Sequence, residues 1–244
     1  CACLVGSEMC IRDRDRHLHR FYRKFGVEGV ESGSVLTGDF SDFFNSAPHS
    51  IIYREAERRI HDGDVRRIAC QFMEDFGDVG FGLGSQVSQI DALMVASPLD
   101  HFIKEQLHIK YYGRYMDDIY IIHEDKEYLK QLLKEIEQIC DELGLFINAK
   151  KTQIIKLSKG FTFLKIKYSL TDTGKVVQRV SRDSVTRMRR KLKKLRIKLD
   201  QGEIGFEDVR CAYNSWRGSV AHYDSYTTLK LSLIHISEPT RHAQ

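Results

Sequence analysis

The sequence lacks the features that mark a secreted or membrane-embedded protein. Its 244 residues include only six cysteines and no CxxC pair, and no apolar run is long enough to cross a bilayer. A signal-peptide pattern is also missing. These absences argue against a disulfide framework and against a membrane partner, and they predict a protein of the reducing cytoplasm.

Both ends of the sequence are predicted to be non-native. Leu4–Arg14 and Leu231–Arg241 can be back-translated into the two strands of a single DNA string, which resembles the transposase adaptor ligated onto sequencing libraries. The outermost residues pair on opposite strands in the same way, as a shared index would. Such scars are excluded from fold reasoning. Residues 1–14 and 231–244 are therefore assigned to adaptor, and Asp15–Lys230 is expected to be the native part, cut off at both ends.

Setting the ends aside changes the cysteine count but not the charge. The adaptor-like segments carry as many basic as acidic residues, so the formal net charge of +4 belongs to the native part. Three widely spaced cysteines remain, Cys70, Cys140 and Cys211. A chain of this length can bury a sizeable core, as one large domain or as a domain with a smaller appendage.

The stretch Tyr115–Asp118, which reads YMDD, lies between two runs of strand-forming residues. These runs are Ile109–Tyr112 and Ile119–Ile122. The pattern predicts a β-hairpin with Asp117 and Asp118 at its tip. Two adjacent carboxylates stay ionised only when a cation lies close to them, which indicates a catalytic site. The alternative is an ordinary turn, in which Asp is a favoured residue.

A further carboxylate follows an apolar strand earlier in the chain. Val35, Leu36 and Phe40 predict a strand that delivers Asp39 at or near its C-terminal end. α/β proteins place ligand-facing groups at the carboxyl ends of buried strands. We therefore interpret Asp39 as a functional residue, although a cap of the following helix is the simpler interpretation for its neighbour Asp42.

Helices are predicted from apolar residues at helical spacing. Asp15–Lys24 is interpreted as the last turns of a surface helix, followed by a glycine-marked loop over residues 26–33. Ile51–Phe76 is amphipathic, with a break near its middle. Lys126–Leu143 is a strong amphipathic helix with Gly144 as its C-terminal stop.

The C-terminal half adds strands. Gln153–Leu157 reads as one strand, and Phe161–Tyr168 with Val176–Val180 is predicted to form a hairpin across a turn at Thr171–Gly174. The mixture of strands, helices and hairpins predicts an α+β fold, in which an antiparallel sheet is backed by helices.

Arg182–Lys198 is a basic amphipathic segment. It holds nine Lys or Arg residues and one acidic residue, and its apolar residues recur at helical spacing. A solvated helix face is the common fate of such a charge run. The one-sided charge nevertheless favours contact with a phosphate backbone. The predicted nucleic-acid contacts are Arg187, Arg190, Lys191, Lys194 and Lys198.

Several short motifs occur in a fixed order along the chain. They are Asp39 with Phe43 and Phe44, the GxxxSQ of Gly84–Gln89, YMDD, Asn148 with Lys151 and Thr152, and Phe163 with Leu164. In this order they resemble the palm of bacterial reverse transcriptases, the relatives of group II intron and retroelement enzymes. The resemblance covers nearly all of Val35–Leu199, and Ser215–Gly218 looks like the thumb of these enzymes.

The resemblance implies a division of the chain. Residues 15–33 would be the end of the fingers or a linker, residues 34–180 the palm, and residues 181–230 a helical thumb, with the fingers largely missing. Because the fingers supply basic residues to the incoming triphosphate, the polypeptide as given is expected to show little or no primer extension.

The resemblance also implies an activity and roles for its residues. The activity is RNA-directed DNA polymerisation, in which dNTPs are added to a primer 3′-hydroxyl with two Mg²⁺ ions, or Mn²⁺ in their place. Asp39, Asp117 and Asp118 would be the metal ligands, and Lys151 would protonate the departing pyrophosphate. The implied substrate contacts are Phe40, Phe44 (as a gate against a ribose 2′-hydroxyl), Gly84, Ser88, Gln89, Tyr115 and Met116. The implied primer grip is Phe163 and Leu164, followed by Lys165 where many relatives have glycine.

The subfamily and the partners follow from the same resemblance. Intron-type enzymes usually carry Ser-Pro where this chain has Ser88-Gln89, which resembles the enzymes of diversity-generating retroelements. The implied partners are an RNA template, a DNA primer, dNTPs and an accessory protein of the retroelement. An RNA-binding maturase, an antiviral defence reverse transcriptase and an RNA-dependent RNA polymerase remain as alternatives.

Overall fold

The computed structural model describes residues 7–74, 77, 79–81 and 86–224. Most of the two adaptor-like ends and the candidate residue Gly84 lie outside the described residues. Within them the chain forms two units, one made of residues 7–159 and 170–175 and the other of residues 160–169 and 176–224.

The first unit combines a five-stranded sheet with helices. Its helices are α1 (Ser7–Ser32), α2 (Phe43–Ser46), α3 (His49–Arg59), α4 (Gly63–Glu74), α5 (Gln86–His101) and α6 (Lys126–Glu142). Its strands are β1 (Ser34–Ser41), β2 (Tyr112–Tyr115), β3 (Asp118–His123), β4 (Phe146–Ile147) and β5 (Gln153–Lys156). A π-helical turn, Phe102–Gln106, follows α5 directly.

Strand β1 lies at the centre of this sheet. It pairs with β3 along one edge and with β4 and β5 along the other, and β2 pairs with the far edge of β3. All of these pairings are antiparallel, as the sequence predicted. Val35 and Leu36 are fully buried within β1. The strand that carries Asp39 therefore lies inside the sheet, with a neighbouring strand on each edge.

Helices α5 and α6 bury their apolar faces in the core of this unit. The buried residues that they contribute are Ala92, Val95, Ala96, Leu99, Leu129, Leu132, Ile136 and Cys140. The prediction for α6 is confirmed in detail, because Asp125 caps its first turn and Gly144 takes the left-handed φ of +63° just beyond its end. The predicted antiparallel sheet backed by helices is confirmed as well.

The prediction for the N-terminal segment is confirmed in part. Asp15–Lys24 is helical, with Leu18 and Phe21 buried and Arg16, Arg20 and Arg23 exposed, but the helix continues to Ser32. The predicted glycine-marked loop is helical, and its only irregularity is a kink at Gly26, whose φ is +62°. A Cβ on Gly29 would lie 2.2 Å from the Cβ of Phe25. This glycine therefore permits close packing inside a helix, which sequence alone does not distinguish from a loop.

The first strand of the YMDD hairpin begins later than predicted. β2 starts at Tyr112, whereas the predicted strand starts at Ile109. The amide of Ile109 donates to the carbonyl of Ile103 at the π-helical turn, and His108 before it has a φ of +51°. This hydrogen bond keeps Ile109 at the end of the helix, although its side chain favours a strand.

The second unit consists of a small sheet and two long helices. Its strands are β6 (Phe161–Phe163), β7 (Ile166–Leu170) and β8 (Val176–Val180), and its helices are α7 (Arg182–Asp200) and α8 (Phe206–Val220). The predicted turn at Thr171–Gly174 is confirmed, and it joins β7 to β8. α7 packs against α8, and the basic residues that were predicted to bind nucleic acid are exposed on α7.

The prediction of a single strand over Phe161–Tyr168 is wrong. This stretch is itself a hairpin, because β6 and β7 pair antiparallel around a turn at Leu164 and Lys165. Both turn residues have a left-handed backbone, with φ of 49° and 66°. Glycine, asparagine and aspartate are the residues that normally signal such a turn, and neither position carries one of them.

None of the helices in the described part of the chain combines the length and the apolar character that crossing a bilayer requires.

Candidate active site

The YMDD turn is a two-residue hairpin loop. Tyr115 at the end of β2 pairs with Asp118 at the start of β3, so Met116 and Asp117 form the loop between them. The prediction that both aspartates lie at the tip of a hairpin is confirmed. Met116 has a left-handed φ of 51°, at the first loop position, where glycine is the usual residue of a type II′ turn.

Asp39 lies beside this turn. In the pairing of β1 with β3, Asp39 stands opposite Asp118. The amide of Phe40 donates to the carbonyl of Asp117 at 3.2 Å, which fastens the turn to β1. Two parts of the sequence that are far apart along the chain therefore present three carboxyl groups at one end of the sheet.

The three carboxyl groups lie close together at this end of the sheet. Asp39 is only 7% exposed, and its side chain lies near the carboxyl of Asp117. Burial, followed by the charge of Asp39, raises the pKa of Asp117. Burial and the two neighbouring aspartates also raise the pKa of Asp118 to about 6. Like charges held this close together repel, so the site favours a nearby cation.

Lys151 supplies positive charge to the same site. Its ammonium group donates to the carboxylate of Asp39, and this hydrogen bond raises the pKa of Lys151. The loop that carries Lys151 is tied to β1, since the amide of Asn148 donates to the carbonyl of Asp39 at 2.8 Å. The carbonyl of Asn148 in turn accepts from the amides of Lys151 and Thr152. Asn148 therefore organises the loop that places the lysine on Asp39.

The donors at this site suit a hard divalent cation. Carboxylate oxygens are the ligands that Mg²⁺ prefers, and three of them come from Asp39, Asp117 and Asp118. Among the residues that the structure describes, however, no group of three or more His, Cys, Asp or Glu side chains is arranged as a metal site. The residue types fit the cation, and the positive charge beside Asp39 in this structure is the ammonium group of Lys151.

The predicted substrate contacts near β1 lie at the same end of the strand. The ring of Phe40 is buried and stacks on Phe43 at 5.5 Å between centroids. Phe44 follows on α2, where it is half-buried and meets Phe43 edge-on at 5.4 Å. The structure therefore brings Phe40 and Phe44 to the strand end that carries Asp39. The backbone amide of Phe40, a predicted substrate contact, donates to the carbonyl of Asp117.

The remaining predicted contacts differ in their surroundings. Ser88 is only 3% exposed on α5, and its hydroxyl has no hydrogen-bond partner among the described residues. Gln89 beside it is exposed. Phe163 is buried at the end of β6, and Leu164 occupies the turn that follows. These last two residues belong to the second unit, as do the five basic residues of α7.

Sequence reasoning missed an arginine and its partner behind the turn. Arg114 in β2 is 6% exposed, and its guanidinium donates to both carboxylate oxygens of Asp100, at 3.0 and 2.6 Å. It also donates to the carbonyl of Met116 at 2.9 Å. The available signal was the arginine itself, because a charge in a buried strand needs a paired acid.

Comparisons with known proteins agree with this architecture. A telomerase from Candida albicans in complex with the TWJ fragment of telomeric RNA matches with a TM-score of 0.57 at 12% identity, over 96% of this chain and 47% of its own. An apo telomerase from Candida tropicalis, truncated from its C-terminal domain, matches with a TM-score of 0.56 at 16% identity, over 70% of this chain and 40% of its own. These likenesses show a shared fold.

The chain spans about half the length of the first of these telomerases. A comparison with curated proteins finds no match. Residues 28–168, which run from the end of α1 into β7, match the family described as reverse transcriptase (RNA-dependent DNA polymerase). This region contains β1, the YMDD turn and the loop of Lys151. The chain belongs to the reverse transcriptase family.

Proposed function

We propose that this chain carries the catalytic palm of an RNA-directed DNA polymerase, which adds dNTPs to a primer 3′-hydroxyl under the direction of an RNA template. The observation that carries the proposal is the register of β1 and β3, which sets Asp39 opposite Asp118 and beside Asp117. Family membership supports the same activity.

The proposed chemistry assigns a role to each residue of the site. Two Mg²⁺ ions, or Mn²⁺ in their place, would be held by Asp39, Asp117 and Asp118 and would stabilise the attacking and leaving oxygens of an in-line displacement. Lys151 would then exchange its contact with Asp39 for one with the pyrophosphate, to which it would give a proton. Such a transfer suits a lysine whose side chain is 66% exposed and is therefore free to move.

Selection of the nucleotide is assigned to Phe44. The ring is supported by Phe43 and by Phe81, whose centroid lies 6.1 Å away. A supported ring beside the end of β1 can exclude a ribose 2′-hydroxyl by collision, which favours dNTPs over rNTPs. Further substrate contacts are proposed for Gly84, Ser88, Gln89, Tyr115 and Met116.

The second unit is proposed to bind the primer and template. Phe163 and Leu164 would form the primer grip, and the exposed basic face of α7 would follow the phosphate backbone. We propose residues 34–180 as the palm and residues 181–230 as the thumb. An accessory protein of the retroelement is a further proposed partner.

A bacterial retroelement is the proposed source of the enzyme. Ser88-Gln89 supports the diversity-generating type over the intron type. Cys70, Cys140 and Cys211 form no disulfide within the described residues, which is compatible with a reducing cytoplasm. The diversity-generating assignment predicts a near-duplicate pair of template and variable repeats in the neighbouring DNA. Assembly of the complete locus without such a pair would exclude that assignment.

The proposed function is tested by nucleotide use on an RNA template. The full-length gene product that contains this chain is supplied with a primed RNA and with either dNTPs or rNTPs. Extension with dNTPs alone supports the proposal. Extension with rNTPs would favour an RNA-dependent RNA polymerase, and RNA binding without extension by either would favour a maturase.

A further inference from the structure

The YMDD turn is connected to α5 by a partly buried hydrogen-bonded cluster. Asp100, at the last turn of α5, accepts two hydrogen bonds from the guanidinium of Arg114 and one from the hydroxyl of Tyr112 at 2.6 Å. The third nitrogen contact of Arg114 goes to the carbonyl of Met116. We call Asp100, Tyr112 and Arg114 the turn clamp.

The turn needs such support because of the conformation of Met116. A residue with a side chain loses free energy in the left-handed region, and such conformations persist where surrounding contacts impose them. Met116 occupies this region without being Gly, Asn or Asp. The carbonyl of Met116, in the peptide that leads into Asp117, accepts a hydrogen bond from Arg114.

The geometry of the clamp makes it stiff. A planar guanidinium bound by two parallel contacts to one carboxylate has a fixed orientation, which a lysine cannot reproduce. Arg114 is almost completely buried, with a side chain that is 2% exposed, while the side chain of Asp100 is 25% exposed, so solvent reaches the pair from the Asp100 side only. Displacement of Met116 would also move the Asp117 carbonyl, which accepts from the amide of Phe40 on the strand that carries Asp39.

We propose that Arg114 and Asp100 are positioning residues, which hold Met116 in its left-handed conformation and thereby place Asp117 and Asp118 beside Asp39 for a divalent cation. The cation-binding part of this inference rests on the proposed function. Neither residue touches the reacting groups, and their effect passes through the backbone of the turn.

A purely electrostatic role predicts the opposite result. Arg114 is a positive charge next to a carboxylate cluster, so its removal would strengthen the binding of a cation if charge alone mattered. A positioning role predicts weaker binding. Arg114→Lys keeps the charge and loses the paired contacts, so it isolates the geometric contribution.

The experiment measures two properties of the purified 244-residue chain. Mn²⁺ binding is followed by electron paramagnetic resonance, and hydrogen exchange of the Phe40 amide is followed without any metal. For Arg114→Lys and for Asp100→Asn we expect about tenfold weaker Mn²⁺ binding and about tenfold faster exchange at Phe40. A factor of about ten in an equilibrium constant corresponds to the free-energy cost of one residue in the left-handed conformation. Arg67→Lys is the matched control, since Arg67 pairs with Asp64 on an exposed surface.

A double-mutant cycle separates positioning from general support of the fold. Met116→Gly removes the cost of the left-handed conformation. Arg114→Lys should therefore reduce Mn²⁺ affinity and the exchange protection of the Phe40 amide much less in the Met116→Gly background than in the wild type. Equal losses in both backgrounds would overturn the proposal, as would wild-type binding and exchange in Arg114→Lys.

The two measurements test different claims. If the wild-type chain binds no Mn²⁺, the metal site of the proposed function is contradicted, while the exchange measurement still decides the positioning role. If Arg114→Lys does not fold, Asp100→Asn and the Met116→Gly background supply the same comparison.

Discussion

At the scale of a residue, two buried carboxyl groups of this protein differ in whether a cationic side chain lies beside them. Asp39 is 7% exposed and has the ammonium of Lys151 on its carboxylate. Asp91 on α5 is 2% exposed, and its Oδ2 atom has no hydrogen-bond partner among the described residues. Burial raises the pKa of Asp91 to about 6 from an ordinary value of 3.8. The two sites therefore differ in their contacts, because a lysine lies on Asp39 and Oδ2 of Asp91 has no partner among the described residues.

Asp91 should therefore make stability depend on pH. Between pH 4 and 6 the unfolded chain has already lost this proton while the folded chain keeps it, so the free energy of unfolding falls as pH rises through this window. Asp91→Asn should flatten the fall and raise the free energy of unfolding at pH 7 by about 1–2 kcal/mol, allowing for the cost of burying an amide. Urea unfolding at pH 4, 5, 6 and 7 measures the difference.

The control for this prediction is Asp141→Asn, which changes an exposed carboxylate on α6. This substitution should change the free energy of unfolding by about the same amount at each pH. If wild type and Asp91→Asn give parallel curves across the window, the buried carboxyl group is not the source of the pH dependence.

Arg114 shows where sequence reasoning stops at this scale. The aspartates were identified because their motif has a known order along the chain, and the structure places them together. The pairing of Arg114 with Asp100 joins two elements that no local pattern connects, so neither residue was identified from the sequence.

At the scale of secondary structure, the elements with local signals were predicted and the others were not. α6 has leucines at helical spacing, a capping aspartate and a terminal glycine, and its prediction is confirmed. The turn between β6 and β7 has none of the usual residues, because Leu164 and Lys165 adopt a left-handed backbone that their side chains do not favour. In α1 the signal was misleading, since Gly29 serves packing against Phe25 within a helix.

The β6–β7 turn yields a prediction about stability. Lys165 has a φ of 66°, a conformation that glycine adopts without steric cost. Lys165→Gly should raise the free energy of unfolding by about 0.5–1 kcal/mol, because relief of the left-handed conformation exceeds the entropy lost by glycine.

Lys167 provides a matched control two positions away. It is an exposed lysine in the extended backbone of β7, so Lys167→Gly should lower the free energy of unfolding by about 1 kcal/mol. Chemical unfolding of both variants measures the contrast. Equal destabilisation by the two substitutions would show that the turn conformation carries no cost.

At the scale of the whole molecule, the order of the motifs predicted the family, and the match over residues 28–168 confirms it. Composition alone does not indicate this family, because a net charge of +4 is modest for a nucleic-acid-binding protein. The charge is concentrated in α7, where basic residues lie exposed along one helix. Its distribution therefore indicates a polyanionic partner better than the total does.

Binding of a primed template should depend on this helix through salt. Neutralising Lys191 and Lys194 together should reduce the slope of log affinity against log salt concentration by about 2, since each lysine releases about one counterion. Fluorescence anisotropy over a salt series measures the slope. The control pair is Lys126 and Lys134, exposed on α6, whose neutralisation should leave the slope unchanged. Equal slopes for both pairs would exclude a backbone contact by α7.

The central claim is that Asp117, together with Asp39 and Asp118, performs RNA-directed DNA synthesis. The most direct measurement is primer extension on an RNA template by the full-length gene product, comparing wild type with Asp117→Asn. The substitution keeps the size of the side chain and removes one negative oxygen from the proposed metal site. We predict dNTP incorporation by the wild type and a loss of at least about a thousandfold in the variant, the scale on which removal of an electrostatic catalytic group acts. Retention of full activity by Asp117→Asn would contradict the account.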